Sequence, residues 1–231
     1  LDDVLHNITF TAHPGQTTAL IGSTGCGKST LVNLIPRIYD VSDGAVCLDG
    51  VEVRQFSQIA LRDRIGYLPQ RGMLFSGTIE SNLLYADQDA SSETLEQAVE
   101  IAQASEFIFA APEGFSAEIS QGGSNVSGGQ KQRLAIARAL VKKPPIFIFD
   151  DSFSALDFKT DSALRRALKQ KTGDATVLIV TQRVATVKNA DQIIVLDEGR
   201  VVGSGSHHEL METCETYQEI AYSQLSRGEL A

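Results

Sequence analysis

The sequence contains no tryptophan and only three cysteines, Cys26, Cys47 and Cys214. An odd, sparse set without a CxxC pair indicates reduced thiols in a cytosolic setting and argues against a disulfide framework. No run approaches about 18 apolar residues, so no transmembrane helix is predicted. A signal peptide is also lacking, and the start at Leu1 is expected to be a point inside a longer protein.

Positive charge is in short supply. Twenty Lys and Arg stand against 29 Asp and Glu, and the 231 residues carry a net charge of −9. Such an acidic chain argues against nucleic acid or anionic lipid as the main partner. An anionic ligand would therefore need a local positive site. The length fits one globular domain, or one core with a small inserted subdomain.

Short apolar runs alternate with helical periodicity, which predicts an α/β fold. Buried strands are predicted at 17–21, 65–68, 146–149 and 176–180, an antiparallel pair at 45–53 turning at Asp49-Gly50, and a hairpin at 192–196 and 200–203. Helices are predicted at 29–38, 93–104, 130–141 and 161–170. The pattern is helical over the whole stretch from about 87 to 143, and an exposed helical tail is predicted from His207 onward. The prediction is one domain over 1–231, with a core at 1–86 and 142–231 and a helical insertion at 87–141.

One motif carries most of the predicted chemistry. It fits the pattern GxxxxGK[ST] of a phosphate-binding loop and consists of Gly22, Ser23, Thr24, Gly25, Cys26, Gly27, Lys28, Ser29 and Thr30. The glycines let backbone N–H groups turn toward phosphate oxygens, and the positive end of the following helix dipole faces them. Lys28 is expected to reach the β- and γ-phosphates, and the Ser29 hydroxyl to ligate Mg²⁺. A chance match is the alternative, which the strand–loop–helix context disfavours.

Two further features accompany the loop. The strand 146–149 ends in Asp150, whose carboxylate is expected to hold Mg²⁺ through water, although a plain core strand ending at a turn would look similar. A second predicted anion site lies at the start of the helix 130–141, where an ordinary helix cap is the alternative reading. Its residues are Ser127, Gly128, Gly129 and Gln130.

The sequence resembles the nucleotide-binding domains of the ATP-binding cassette (ABC) family. The segment 126–133 reads VSGGQKQR and, with AIARA at 135–139, is similar to the ABC signature and its helix. Gln70, after YLP, resembles the Q-loop, and SALD at 154–157 resembles the D-loop. LFSGTI at 74–79 is similar to the segment that follows the Q-loop in exporters. The resemblance extends from about Val4 to Leu210.

This resemblance implies a P-loop NTPase (RecA-like) core with an antiparallel β subdomain and an inserted α-helical subdomain that carries the signature. It implies ATP and Mg²⁺ as ligands, with Gln70 also on the metal. It implies a head-to-tail dimer, in which each ATP lies between the phosphate loop of one chain and the signature of a second nucleotide-binding domain. It further implies a transmembrane domain N-terminal to Leu1, whose coupling helices contact Arg71–Ile79, and a location at the cytoplasmic face of a membrane.

The sequence departs from the family pattern at two catalytic positions. Asp151 stands where the family has a Glu that positions or deprotonates the attacking water. Its carboxylate sits back by about 1.5 Å, and a misplacement of that size can cost about 10²-fold. Gln182 stands where the family has the switch histidine; it can hydrogen-bond the γ-phosphate but cannot carry a proton charge. The aromatic that stacks on adenine in the family is expected before Leu1.

These departures leave alternatives open. A conservative change with activity kept is one reading, and a homodimer goes with it. The other reading, a paired loss, resembles the degenerate subunit of a heterodimeric exporter, whose own site turns over slowly while its signature completes a site on a partner with Glu and His. A soluble ABC ATPase acting on nucleic acid or ribosomes, and a regulatory ATP-binding module without turnover, are the competing functions. The acidic charge and the segment 74–79 favour the exporter.

Overall fold

The computed structural model describes residues 4–225, which form two compact units. Within that range the first unit takes in the chain up to Ile65, then Pro145–Asp151, then the chain from Asp174 onward. The second unit takes in Gly66–Pro144 and Ser152–Gly173. The expectations about Leu1 and what precedes it concern positions outside the described residues. The predicted division at 86/87 and 141/142 refers to the subdomains of the family and stays a prediction.

The strands and helices alternate along the chain. The strands are β1 (Thr17–Ile21), β2 (Cys47–Leu48), β3 (Val51–Glu52), β4 (Ile65–Leu68), β5 (Gly77–Thr78), β6 (Glu118–Ile119), β7 (Ile146–Asp150), β8 (Thr176–Val180), β9 (Gln192–Asp197) and β10 (Arg200–Gly205). The helices are α1 (Lys28–Leu34), α2 (Gln58–Arg62), α3 (Ile79–Leu84), α4 (Ser92–Ile101), α5 (Ser105–Phe109), α6 (Gly128–Val141), α7 (Phe158–Lys171), α8 (Val184–Val187), α9 (His207–Thr213) and α10 (Glu215–Gln224). Along 4–225, no helix combines the length and the apolar character that crossing a bilayer requires.

A parallel-dominated sheet organises the first unit. Its strand order is β10-β9-β1-β8-β7. The strands β7, β8, β1 and β9 run parallel, and β10 returns antiparallel to β9. All five residues of β7 and four of the five in β1 and in β8 are buried. Near-continuous apolar runs of this kind are what a parallel sheet covered on both faces requires, and the predicted α/β class is confirmed.

The predicted strands are found where the patterns placed them, and the helix after the phosphate loop is shorter than predicted. The prediction was 29–38, whereas α1 ends at Leu34. Ile35 keeps helical dihedrals, but Pro36 after it has no N–H to donate to the preceding turn, so the apolar spacing at Ile35 and Ile38 does not continue the helix. Arg37 then adopts a positive φ of 53°, which completes the break.

The turn predicted at Asp49-Gly50 is confirmed. Both residues have positive φ, 51° and 80°, which is the requirement of the two-residue hairpin turn that Asp-Gly favours. The strands that it joins, β2 and β3, are only two residues each. The antiparallel pair is therefore shorter than the predicted 45–53.

The second unit is built around α6. Its buried face packs against α3 and α4, and it includes Leu134, Ala135, Ile136, Ala137, Leu140 and Val141. The prediction that the stretch from about 87 to 143 is helical holds only in part, because β6 lies within it. That short strand pairs antiparallel with β5, with Gly77 opposite Ile119. A two-residue strand has too few positions to show a period of two in the sequence.

The tail from His207 is helical, as predicted, but only part of it is exposed, because one side of it is buried. Tyr217 and Ala221 of α10 are fully buried, and Leu210 and Cys214 are nearly so. They belong to one core cluster with Ala19, Ile21, Val184, Val187, Ile193 and Val195. The four tail residues recur at i, i+4, i+7 and i+11, a helical spacing, although the chain breaks at Cys214 and divides them between α9 and α10. The two C-terminal helices are therefore part of the core of the first unit.

We expect Tyr217→Ala to lower the free energy of unfolding by about 3–5 kcal/mol, because it empties a fully buried aromatic position. Tyr222→Ala on the same helix is the matched control, since Tyr222 is 60% exposed and surface changes cost about 0.5 kcal/mol or less. Urea unfolding of both variants measures the difference. Equal costs at the two tyrosines would show that α10 does not contribute to the core.

Candidate phosphate-binding site

Three neighbouring parallel strands bring the predicted site residues of the first unit to one edge of the sheet. The register places Leu20 opposite Val180, and Val180 opposite Asp150. The strands β1, β8 and β7 therefore end level with one another. Since the phosphate loop follows β1, Gln182 follows β8, and Asp150 ends β7, all three groups meet at the carboxyl edge, where ligands bind in open α/β sheets.

The phosphate loop depends on glycine at places where backbone or loop atoms come close. A Cβ at Gly22 would lie 2.1 Å from the Leu196 carbonyl oxygen and 2.7 Å from Cys26 Sγ. Gly25 and Gly27 adopt positive φ of 85° and 101°, a region that other residues enter at a cost. A Cβ at Gly25 would meet nothing within 4 Å. The loop is thus held closely at its start and is open at its middle.

Lys28 is the local positive charge that an anion site needs in this acidic chain. Its ammonium group donates to the carbonyl oxygens of Gly22 at 2.9 Å and Ser23 at 2.6 Å, and lies 3.5 Å from Cys26 Sγ. The side chain is only 8% exposed. The loop therefore curls around Lys28 and fixes the position of its charge.

Ser29 and Asp150 form a pair of oxygen ligands. The Ser29 hydroxyl donates to Asp150 Oδ1 at 3.0 Å, and Asp150 is 5% exposed. Magnesium prefers such hard oxygen donors and is held in phosphate sites by few protein groups, with waters and phosphates completing its shell. Among the described residues there is no cluster of three or more His, Cys, Asp and Glu that could hold a metal. This pair fits Mg²⁺ bound together with a phosphate.

Asp151 occupies a turn directly after β7. Its N–H donates to the Val180 carbonyl at 2.8 Å, which continues the ladder between β7 and β8. Its φ is +47°, a left-handed conformation that Asp tolerates better than most residues. The backbone of Asp151 is therefore defined by the sheet, and the side chain begins one residue beyond the Mg²⁺ candidate Asp150.

Gln182 lies beside the phosphate loop. Its side-chain oxygen accepts a hydrogen bond from the Thr24 hydroxyl at 3.3 Å, and Gln182 itself is exposed. Thr181 before it is buried, with its N–H donating to the Leu20 carbonyl at 3.1 Å. The structure thus brings together Thr24, Lys28, Ser29, Asp150 and Gln182, as the motifs predicted from distant parts of the chain.

The predicted signature residues lie in the second unit, at the start of α6. The Ser127 hydroxyl accepts from the Gln130 N–H at 3.2 Å, and Gln130 Oε1 accepts from the Ser127 N–H at 2.9 Å. This is a capping box, so the ordinary capping role is present. Gly128 has no atom within 4 Å of a Cβ position. The open glycine beside first-turn N–H groups leaves room for an anion, and its role there stays a prediction.

Gln70 is exposed and lies in the second unit just before the segment Arg71–Ile79. That segment packs against α6 at Gly72, where a Cβ would be 2.8 Å from Ala135 Cβ. The carbonyl of Met73 accepts from Arg138 Nη2 at 2.7 Å. The segment that follows Gln70 is therefore anchored to the helix that carries the signature.

The centre of the same segment is clamped by Asn82, a residue of α3 that is 1% exposed. Its amide bonds both backbone groups of Phe75, accepting from the N–H at 2.8 Å and donating to the carbonyl at 2.9 Å. The Phe75 ring lies 4.6 Å from the Tyr85 ring and 5.3 Å from the Arg138 guanidinium. Burial lowers the pKa of Arg138 from its ordinary value. The Phe75 side chain thus projects from a backbone that Asn82 holds in place.

The predicted D-loop at 154–157 ends in a helix cap. The Asp157 carboxylate accepts from the Thr160 N–H at 3.0 Å and from its hydroxyl at 2.7 Å, at the start of α7. These hydrogen bonds hold the pKa of Asp157 below its ordinary value. Asp157 is therefore engaged in starting the helix.

One residue near the site escaped the sequence reasoning. Gln224, the last residue of α10, donates from Nε2 to the Gln182 carbonyl at 2.7 Å. The tail was predicted to be exposed, and therefore no contact with the site was expected from it. The apolar spacing from Leu210 to Ala221 is the signal that would have brought this helix onto the core.

Comparison with known proteins gives one consistent family. A sequence model described as ABC transporter matches residues 5–154. The chain is 50% identical over 224 residues to an uncharacterized ABC transporter ATP-binding protein of Mycobacterium tuberculosis, covering 96% of this chain and 38% of that protein. It is 43% identical over 225 residues to a Bacillus subtilis protein named in the same way, covering 97% of this chain and 39% of that protein.

A solved structure supports the same relationship. The fold is similar to that of a bacterial Atm1-family ABC exporter with ATP bound, with a TM-score of 0.93 and 35% identity. The match covers 97% of this chain and 39% of the exporter chain. The chain thus spans about two fifths of the length of the relatives that it matches.

The glycine geometry generates a stability test without nucleotide. Gly25→Ala is expected to cost about 1–2 kcal/mol for the left-handed backbone alone. At Gly22 the φ of 158° is also one that residues with a side chain rarely adopt, and Gly22→Ala adds overpacking of about 1–3 kcal/mol against the Leu196 carbonyl, so we expect the larger loss there. Urea unfolding of both variants compares them. Gly25→Ala being the more damaging of the two would contradict the packing described at Gly22.

Proposed function

Because the chain belongs to the ABC transporter family, we propose that it is the ATP-binding motor domain of an exporter, which binds Mg-ATP and dimerises head-to-tail around it. The observation that carries the proposal is the cation of Lys28, together with the Ser29–Asp150 oxygen pair, at the level ends of β1, β8 and β7. This arrangement offers a positive charge and a metal site within one small edge of an acidic chain.

The first unit supplies the groups that bind the triphosphate. Backbone N–H groups of the loop surround its phosphates, and Lys28 turns from the loop carbonyls toward the β- and γ-phosphates. Ser29 and Asp150 would hold Mg²⁺, which offsets the charge that develops on the transferred phosphoryl group. Asp151 orients water, and Gln182 donates a hydrogen bond to the γ-phosphate.

The second unit supplies the groups for a neighbouring protomer. Ser127, Gly128, Gly129 and Gln130 close over the ATP that lies in the phosphate loop of the other chain. The open space at Gly128 supports this role. The helix α6 is long and well packed, so the first-turn N–H groups are presented from a rigid support.

The segment Arg71–Ile79 is the proposed contact with a transmembrane domain. Met73 is 65% exposed and Phe75 42% exposed, with Tyr85 beside them at 68%. Adjacent exposed apolar side chains on a clamped backbone indicate an interaction site. A soluble ABC ATPase working on nucleic acid is the competing function, and the net charge of −9 disfavours it.

The chain's own site is proposed to hydrolyse ATP slowly. Asp151 is one methylene shorter than the family's Glu, and its backbone is set by the sheet, so the carboxylate has little freedom to move forward. Gln182 can sense the γ-phosphate but cannot share a proton. The groups proposed to bind phosphate and Mg²⁺ are thus kept, whereas the two groups that would take up a proton are replaced by weaker ones. This combination favours pairing with a different subunit that has Glu and His at these positions. A regulatory module without turnover is the limiting case.

Lys28→Ala tests the proposal directly. We expect titration calorimetry to show magnesium-dependent ATP binding by the wild-type chain, and the variant to bind about ten- to a hundredfold more weakly because it loses a charge-assisted hydrogen bond. Lys171→Ala, an exposed lysine in the last turn of α7, is the matched loss of one positive charge. Absent ATP binding in the wild type, or equal affinity in Lys28→Ala, would overturn the proposal.

The double variant Asp151→Glu with Gln182→His tests the slow site. We expect it to raise steady-state ATP turnover about 10- to 100-fold, since it restores the reach of the base and a group that can carry a proton. Asp174→Glu with Gln97→His makes the same substitutions at exposed positions and is expected to change nothing. Fast hydrolysis by the unmixed wild-type chain would contradict the slow site, and addition of a partner domain with Glu and His is expected to raise turnover.

A further inference from the structure

The end of α10 holds the chain segment that carries Gln182. The segment 181–184, called here the switch segment, links β8 to α8. The Gln224 side chain brackets it: Nε2 donates to the Gln182 carbonyl at 2.7 Å, and Oε1 accepts from the Val184 N–H at 2.9 Å. One amide thus fixes two backbone groups on either side of Arg183.

The side chain of Gln182 is held from the opposite direction. The Thr24 hydroxyl of the phosphate loop donates to Gln182 Oε1 at 3.3 Å. The residue is therefore oriented by the phosphate loop at its side chain and by α10 at its backbone. A change at either contact redirects the same side chain.

The helix α10 is a firm support for this bracket. Tyr217 and Ala221 are fully buried, and Ala221 is three residues before Gln224, on the preceding helical turn. Gln182 and Arg183 are exposed and lie between the end of β8 and the start of α8. Because these two residues lie outside helices and strands, few hydrogen bonds fix the conformation of their backbone, and each one matters more.

We propose that Gln224 is a positioning residue for the nucleotide site, which sets the direction of Gln182 toward the γ-phosphate and links the C-terminal helix to ATP recognition. This rests on the proposed function, in which Gln182 contacts the γ-phosphate. A helix whose core position changes would move Gln224 and, through it, the residue that distinguishes ATP from ADP. The effect concerns the γ-phosphate alone, because ADP binding depends on the phosphate loop.

The test compares the ATP and ADP affinities of the purified 231-residue chain by calorimetry with Mg²⁺. Gln224→Met keeps the length of the side chain and removes both hydrogen bonds; we expect it to lower the preference for ATP over ADP about two- to tenfold, with ADP affinity unchanged. Gln224→Glu keeps an acceptor for the Val184 N–H but replaces the donor to the Gln182 carbonyl by a carboxylate oxygen, which repels that carbonyl. It is therefore expected to lower the preference at least as much.

Gln218→Met is the matched control. Gln218 is on the same helix and also donates to a backbone carbonyl, that of Met211 at 2.9 Å, away from the switch segment. It is expected to keep the wild-type preference. Thermal unfolding of all variants is also measured without nucleotide. A variant that is generally destabilised is recognised by a lower unfolding temperature together with weaker binding of ADP.

A double-mutant cycle completes the test. If Gln224 acts through Gln182, then Gln224→Met has no further effect on the ATP preference when Gln182→Ala is already present. A wild-type preference of one, an unchanged preference in Gln224→Met, or the same loss in the Gln182→Ala background overturns the inference while ATP binding itself stands. No magnesium-dependent ATP binding in the wild type overturns the proposed function, and the inference with it.

Discussion

The hydrogen-bond register of three parallel strands is the constraint on which the site depends. Leu20, Val180 and Asp150 lie level across β1, β8 and β7, so the chain leaves the sheet at three adjacent points on one edge. A one-residue slip in a parallel pair turns every side chain to the other face, and it would separate Ser29 from Asp150. The buried apolar runs of these strands make such a slip costly. The chemistry at the edge is thus protected by packing far from any ligand.

Charge explains why this edge needs its own cation. The chain repels polyanions as a whole, with a net charge of −9, yet the ligand proposed for this edge is a triphosphate. The loop resolves the conflict at short range, because its carbonyls surround the Lys28 ammonium and its N–H groups remain available for phosphate. Attraction over a few ångströms is little affected by a distant acidic surface, which salt screens beyond about 8–10 Å. Attraction of an anionic ligand to this edge would therefore depend on the loop and not on the charge of the whole chain.

Much of this architecture follows from the sequence because the strands of a parallel sheet appear in it as continuous apolar runs, and because the motif Gly22–Thr30 predicts a strand–loop–helix unit. What failed has equally physical causes. The helix α1 ends at Leu34 in spite of favourable apolar spacing, because Pro36 lacks the N–H that would continue it. The pairing of β5 with β6 is invisible in two-residue strands. The sequence predicts exposed C-terminal helices because their acidic residues conceal a narrow apolar face, and it therefore predicts no contact for Gln224. Local patterns predict elements well, whereas the contacts that position Gln182 come from residues 42 and 158 positions away in the sequence.

In the proposed slow site, the two departures at the edge would weaken hydrolysis for different reasons, and the groups proposed to bind the phosphates are kept. Asp151 would fall short in reach: its N–H donates to the Val180 carbonyl, so its backbone could move forward only by breaking that hydrogen bond to β8. Gln182 would differ in chemistry: its side chain accepts a hydrogen bond from the Thr24 hydroxyl and has an amide donor for a γ-phosphate, but it has no group that carries a proton charge. A site of the proposed kind would hold ATP for long periods, and the proposed second site, completed by Ser127–Gln130 of this chain, would perform the turnover.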